Sequence, residues 1–439
     1  MLLTSHLTHP KIKEIFSDTA MIQKWIDVEL ALARVQAKLD VIPQDAAEQI
    51  SADMLTFQPN EAALEVAMEK SGVPIAALVK QMRTHVGGSA GDFIHFGATT
   101  QDIMDTAFAM QINDALSHVI VPLLNQIVHN LSQMADAHRS TVMAARTHSQ
   151  QALPTTFGLK AANWMAPLLR QFGRLYAGQL MPPVQFGGAA GTLAALGTHG
   201  LEIQSLLAQE LGLDYESNVS VWHSQRDGVA QFANWLSITT GMLAKMGQDI
   251  VLMAQSEIAE VRESADLSRG GSSTMPQKSN PMVSEALIAI HRTNAGLLGN
   301  IHQALIHEHE RATGSWQVEW LSLPHMISLT AAALEKAAWL SENLVVNVEK
   351  IRQNVMASNG LMLAEAASFV LAEHMPRVEA KTVVRDAVQI VLAENTHLVD
   401  VLSQRVDLPI DWAALREEKN YLGMTHQLID NVLNDAAQV

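Results

Sequence analysis

Apolar residues recur along the chain at helical spacing. Met21, Trp25, Val28, Leu32, Val35 and Leu39 step by four and three before Pro43 interrupts the run, which predicts an amphipathic helix with a coiled-coil-like seam. Val229, Phe232, Leu236, Leu243, Met246, Ile250 and Met253 trace the same stripe over a segment expected to reach about forty residues, against a usual mean near ~11. Val283, Leu287, Ile290, Leu297, Ile301 and Leu305 trace a third. Helices this long and this apolar bury more than one face, as in a bundle shared between subunits. No short run combines clean alternation with β-branched enrichment, so the expected class is all-α, with any strands short and peripheral. Helix length divides the chain into an N-terminal helical module over 1–110, a long-helix core over 111–350 and a shorter-helix module over 351–439.

Composition sharpens this picture. Charged residues are 17% of the chain, against roughly 25% in an average domain, so partner subunits are expected to cover much of the surface. The net charge of −16 repels nucleic acid and anionic membranes, and neither is an expected partner. There is no cysteine, which removes disulfides, thiolate metal sites and a cysteine nucleophile together and fits a cytoplasmic setting. The N-terminal residues lack the apolar core of a signal peptide. The uncharged run from Leu175 to Leu201 holds Pro182, Pro183 and six glycines, which makes it a turn-rich connection and not a membrane span.

Three loops carry candidate chemistry. In Gly270-Gly271-Ser272-Ser273-Thr274-Met275-Pro276-Gln277-Lys278-Ser279-Asn280-Pro281, two glycines and two prolines forbid helix between two long helices. Asn280-Pro281 then predicts an N-cap and first turn, presenting a helix end as an anion site with Lys278 beside it. In His95-Phe96-Gly97-Ala98-Thr99-Thr100-Gln101-Asp102 a threonine can cap the next helix while Asp102 serves its first turn, leaving hydroxyls and a histidine at a positive helix end. Arg146-Thr147-His148-Ser149-Gln150-Gln151 holds too many polar groups to bury without partners, so this loop is exposed or lines a wet pocket. Arg226 and Arg311 either close surface salt bridges or bind carboxylates. His307-Glu308-His309-Glu310 lacks the HExxH spacing, and histidines two apart on a helix face apart, so no metal is expected.

In order and spacing these loops resemble the signature regions of the fumarase/aspartase superfamily, most specifically in the stretch from Gly271 to Pro281. The resemblance covers nearly the whole chain. It implies an all-α homotetramer around a central twenty-helix bundle, each active site assembled from three subunits, with no cofactor. Ser272 then resembles the catalytic base on a closing loop, and Lys278 and Asn280 resemble the groups that bind and stabilise a substrate carboxylate. His148 resembles a general acid or substrate ligand. His95, Thr99, Thr100, Thr147, Gln150, Ser273 and Met275, with Arg226 and Arg311, are the remaining expected substrate contacts. Removing a proton beside a carboxylate builds a doubly charged aci-carboxylate, and only fixed cations, amide dipoles and helix ends aimed at that charge lower such a barrier. A serine base needs the same water-excluding surroundings.

Within the superfamily, the segments His307–Ala312, Gly187–Thr192 and Trp222–Asp227, with Trp316, Glu319 and Trp320, resemble the cycloisomerase branch. That branch closes a lactone on a carboxymuconate, the reverse of β-elimination. Gln277 and Ser279 stand where it commonly has His and Arg, which leaves open a carbon–nitrogen lyase that cleaves a substituted succinate to fumarate. An inactive helical protein that keeps the fold is the alternative of another class.

Overall fold

The computed structural model describes residues 2–177, 180, 182–213, 221–264, 266, 270–271, 274–275 and 277–438. Six helices frame them: α1 (Asp18–Lys38), α2 (Thr100–Ala115), α3 (Phe157–Tyr176), α4 (Asp227–Met253), α5 (Met282–Gln303) and α6 (Ser315–Asn343). The class is all-α, as the periodicity implies. The residues fall into two compact units, each drawn from three stretches of chain. The first holds Met1–Leu123, Gly173–Thr240 and Ile290–Ala333, and the second Leu124–Phe172, Gly241–Ala289 and Leu334–Val439. Positions 110 and 350, expected as module edges, lie inside α2 and inside the helix Val348–Met356.

α1 shows why its sequence folds as it does. Ser17 accepts the Ala20 N–H at the start, Asp18 stands in the first turn, and the chain turns away at Asp40, whose φ is 54°. Its stripe serves two clusters within the first unit. Trp25, Ile26 and Val28 pack with Leu78, Met82 and Ile103, while Leu32 and Val35 pack with Phe186, Leu196 and Leu207. The second face is thus covered by this chain's own 184–208 segment.

α4 spans 27 residues, shorter than expected. The chain reverses where the Gln255 carbonyl accepts both the Ile258 and Ala259 N–H groups and Ala259 takes φ 48°. It then enters a short antiparallel pairing of Val261–Arg262 with Val345–Val346. The stretch around His148 is a hairpin and not an irregular loop. Strand β1 (Val142–Thr147) pairs with strand β2 (Gln150–Thr156), Val142 opposite Thr156 and Thr147 opposite Gln150. A register shift between Ala144 and Arg146 breaks the alternation that would have announced a strand. One helical run, Thr100–Ala137, is long and apolar enough to cross a membrane, yet 56% of its apolar window is buried inside the protein, as in a core helix.

Candidate active site

In the first unit the predicted residues gather around one buried carboxylate. Asp102 is 1% exposed. Its Oδ1 accepts the Gly187 N–H at 2.8 Å and pairs with His223 Nε2 at 2.7 Å, while Oδ2 accepts the Gly188 N–H at 2.9 Å and the Thr99 N–H at 3.0 Å. One side chain thus ties the start of α2 to the glycine-rich turn. A Cβ on Gly187 would stand 2.8 Å from the His223 ring, so only glycine lets these segments meet. Arg311 donates from Nη2 to the Gly188 carbonyl at 2.7 Å. Thr99, through Asp102, and Arg311 therefore meet at the Gly187–Gly188 turn, Thr100 follows Thr99 at the start of α2, and His95 lies close enough to feel the charge of Asp102.

Arg226 departs from both expectations for it. It is 4% exposed, and its donors are engaged within the protein. Nε donates to Glu319 at 2.9 Å, Nη1 to Asp105 at 2.7 Å, and Nη2 to Asp105 at 3.3 Å and to Glu319. Burial would lower its pKa, but the charge of Asp105, then the hydrogen bonds and charge of Glu319, raise it above the ordinary value. Trp316 Nε1 donates to Asp105 at 3.0 Å and Gln101 Nε2 at 3.0 Å, completing the cluster. Arg226 is thus a buried counter-ion with no free fork for a substrate carboxylate. The 307–310 segment is a turn and not a helix: His307 sits 3.4 Å from Glu319, while His309, at φ 50°, is exposed.

Sequence reasoning left Asp105, Glu319 and His223 outside the site. The available signal was Gln101, Asp102, Asp105 and Thr106 clustered within the first two turns of the helix, ahead of the apolar run Ala107–Met110, and all four are buried.

In the second unit, Arg146 makes a paired contact with Glu260 at 2.8 and 2.7 Å, and Asn354 adds a hydrogen bond at 3.0 Å, which anchors the hairpin stem. His148 and Ser149 form the turn with φ 49° and 63°, so Thr147, His148 and Gln150 stand exposed at the tip. The signature segment closes at its base. Gly271 bridges Ser279, and the Asn280 N–H donates to the Gly270 carbonyl at 2.8 Å. Gly270 has φ 73°, and a Cβ there would lie 2.3 Å from the Asn280 carbonyl oxygen. Met275 and Lys278 are exposed. Ser272 and Ser273 lie outside the described residues.

The helix after this segment corrects one expectation. α5 starts at Met282, and its first amides are already occupied: Glu263 accepts the Val283 N–H at 3.1 Å and the Ser284 N–H at 2.7 Å. The anion at this helix end is a carboxylate of the protein itself, supplied from twenty residues upstream where no local spacing rule points.

The first unit also holds an apolar cavity of about 390 Å³ walled by Trp25, Trp316, Trp320 and Phe108. Asp18, Glu61 and Glu65 line it too. Those carboxylates give it the wrong sign for a polyanion, so it is not read as the substrate site.

Known proteins resemble the chain over nearly its whole length. A family model described as Lyase matches residues 4–294. A 3-carboxy-cis,cis-muconate cycloisomerase of Acinetobacter baylyi is 38% identical over 97% of this chain and 96% of its own. The crystal structure of a β-carboxy-cis,cis-muconate cycloisomerase from Acinetobacter calcoaceticus superposes with TM-score 0.90 at 35% identity, covering 99% of this chain and 100% of that one. A fumarate lyase structure from a Mesorhizobium species gives 0.89 at 38% identity, covering 98% of each chain. With the helical architecture and the ordered signature segments, these likenesses place the chain in the lyase family of the fumarase/aspartase superfamily.

Proposed function

We propose that this enzyme closes a lactone ring on a 3-carboxy-cis,cis-muconate. The observation that carries the reading is the near full-length likeness to cycloisomerases, at 38% identity for the Acinetobacter baylyi enzyme. In the reaction one carboxylate oxygen bonds to an alkene carbon, and the carbon beside another carboxylate takes a proton. The Ser272 hydroxyl supplies that proton in the closing direction and would remove it in elimination. Lys278 and Asn280 hold the carboxylate as charge develops, and His95, Thr99, Thr100 and Arg311 bind at the far end. A spectrophotometric screen of the purified protein against 3-carboxymuconate, adenylosuccinate, argininosuccinate and fumarate with amines tests it. Turnover of an amine-releasing substrate alone would replace this reading with a carbon–nitrogen lyase, the reading that Gln277 and Ser279 favour.

The working form is a homotetramer whose sites are completed by neighbouring subunits. Support comes from the exposure of the chemistry-bearing hairpin tip and of Ile238, Leu252 and Leu321 on α4 and α6, the last 71% exposed. Light scattering at micromolar concentration should give four chains, and a stable, active monomer would contradict the shared site.

His148 then divides the chemistries. A carboxylate nucleophile needs no proton from it, so His148→Gln should mainly raise KM on the muconate with kcat nearly kept. If an amine departs instead, the same change should lower kcat by about 10²-fold or more. A collapse of kcat on the muconate would show that His148 does more than hold a carboxylate.

A further inference from the structure

We propose that Glu29 is a positioning residue for His95: its buried carboxylate fixes the imidazole with Nδ1 turned inward and Nε2 turned outward, the orientation in which the ring can donate to a substrate carboxylate. This rests on the reading of the site as one for a polycarboxylate.

The observation begins with two misfits in an apolar stripe. Glu29 and Gln36 of α1 are 2% and 0% exposed, and seven residues apart they share a helix face. Both reach the same short segment. Glu29 Oε1 lies 2.6 Å from His95 Nδ1, and Gln36 Nε2 donates to the Phe96 carbonyl at 2.7 Å. From the helix Ile75–Val86, Arg83 Nη2 donates to the Ile94 carbonyl at 2.8 Å. Three consecutive residues are therefore each gripped by a long side chain from elsewhere. The middle one holds φ 65°, a left-handed conformation that is unfavourable for an L-residue and persists only where the surroundings over-determine it.

Glu29 itself is poorly satisfied, since its Oε2 is buried without a hydrogen bond among the described residues. Burying such a carboxylate is costly, and packing needs only an apolar side chain at that position. What the carboxylate supplies is orientation and charge. An ionised carboxylate can only accept, so Nδ1 carries the hydrogen and Nε2 is left to the partly exposed edge, where it makes no hydrogen bond among the described residues. Burial lowers the pKa of this imidazole, but the hydrogen bond and charge of Glu29, then the charge of Asp102, raise it against Arg83, with a net rise above the ordinary 6.5. The pairing stabilises the fold fully below that ordinary value and is lost as pH rises through the raised one. Over the same range the ring keeps an Nε2–H to donate.

Two readouts test this, with Glu29→Gln as the isosteric variant and Glu29→Asp as the conservative one. In the unliganded enzyme, NMR of labelled histidine, with the His95 signal assigned by its absence in His95→Gln, should show the titration midpoint of His95 falling by about one unit or more in Glu29→Gln. On the substrate found by the screen, KM should rise about tenfold with kcat changing far less, and the alkaline limb of kcat/KM should move to lower pH. Glu29→Asp should restore part of both. An unmoved midpoint in a folded Glu29→Gln variant would overturn the positioning role, and a moved midpoint with unchanged KM would overturn the link to substrate. If the unsubstituted enzyme turns over no polycarboxylate, the proposed function fails while the midpoint still decides what Glu29 does to His95.

Discussion

An Arg226→Ala variant should be about 3–5 kcal/mol less stable than the unsubstituted protein, because it strands two carboxylates in the interior. Asp105 and Glu319 are 4% and 3% exposed, and each has both oxygens engaged by the guanidinium. The cation also lies 4.7 Å over the Trp222 ring, so the substitution removes packing as well as charge. Urea unfolding at fixed protein concentration measures the loss. Within a double-mutant cycle, Arg226→Met with Glu319→Met should cost less than the sum of the single changes, since removing one stranded acid relieves part of the penalty. A single Arg226→Ala loss under 1 kcal/mol would mean that water or a side-chain rearrangement satisfies the acids.

Ser272→Ala should lower kcat by about 10²- to 10⁴-fold while leaving assembly and helical content as they are. The base of its segment is closed by backbone contacts, the Gly271–Ser279 bridge and the Asn280-to-Gly270 hydrogen bond, none of which needs the serine hydroxyl. The loss should therefore appear in turnover and not in circular dichroism. A variant that keeps half its activity would remove Ser272 from the proton transfer.

The sequence predicted best what repeats and worst what meets across long separations. Met21 to Leu39 placed α1 to within a few residues, because a four-and-three stripe reports burial directly. The same stripe hid Glu29 and Gln36, whose partners lie 66 and 60 residues away. The β1–β2 hairpin escaped because its turn is made by His148 and Ser149, where a left-handed pair would be signalled by Asn or Gly. The anion site at α5 was expected at the right helix end, but its guest was mistaken, since Glu263 is bound there. Asp102 was legible as a helix-start residue through Thr99. Its contacts with Gly187, Gly188 and His223 were not, because nothing local encodes them.

The way the two units are threaded has a consequence for how the chain is born. Each is assembled from three stretches, and the last part of the first unit, Ile290–Ala333, is followed by the last part of the second, Leu334–Val439. The buried Arg226 cluster closes only when Glu319 arrives, 93 residues after the arginine. A ribosome adding roughly 5–20 residues per second exposes Asp105 and Arg226 to the cell for several seconds before that partner emerges. The first unit is complete only at Ala333, after two stretches of the second have already been made, so neither unit is a continuous N-terminal domain that folds early in synthesis. Truncations from the C-terminus that remove Glu319 should thus give aggregation-prone fragments and not a folded first half, and nascent chains of this protein should engage chaperones at least until Ala333 has been made.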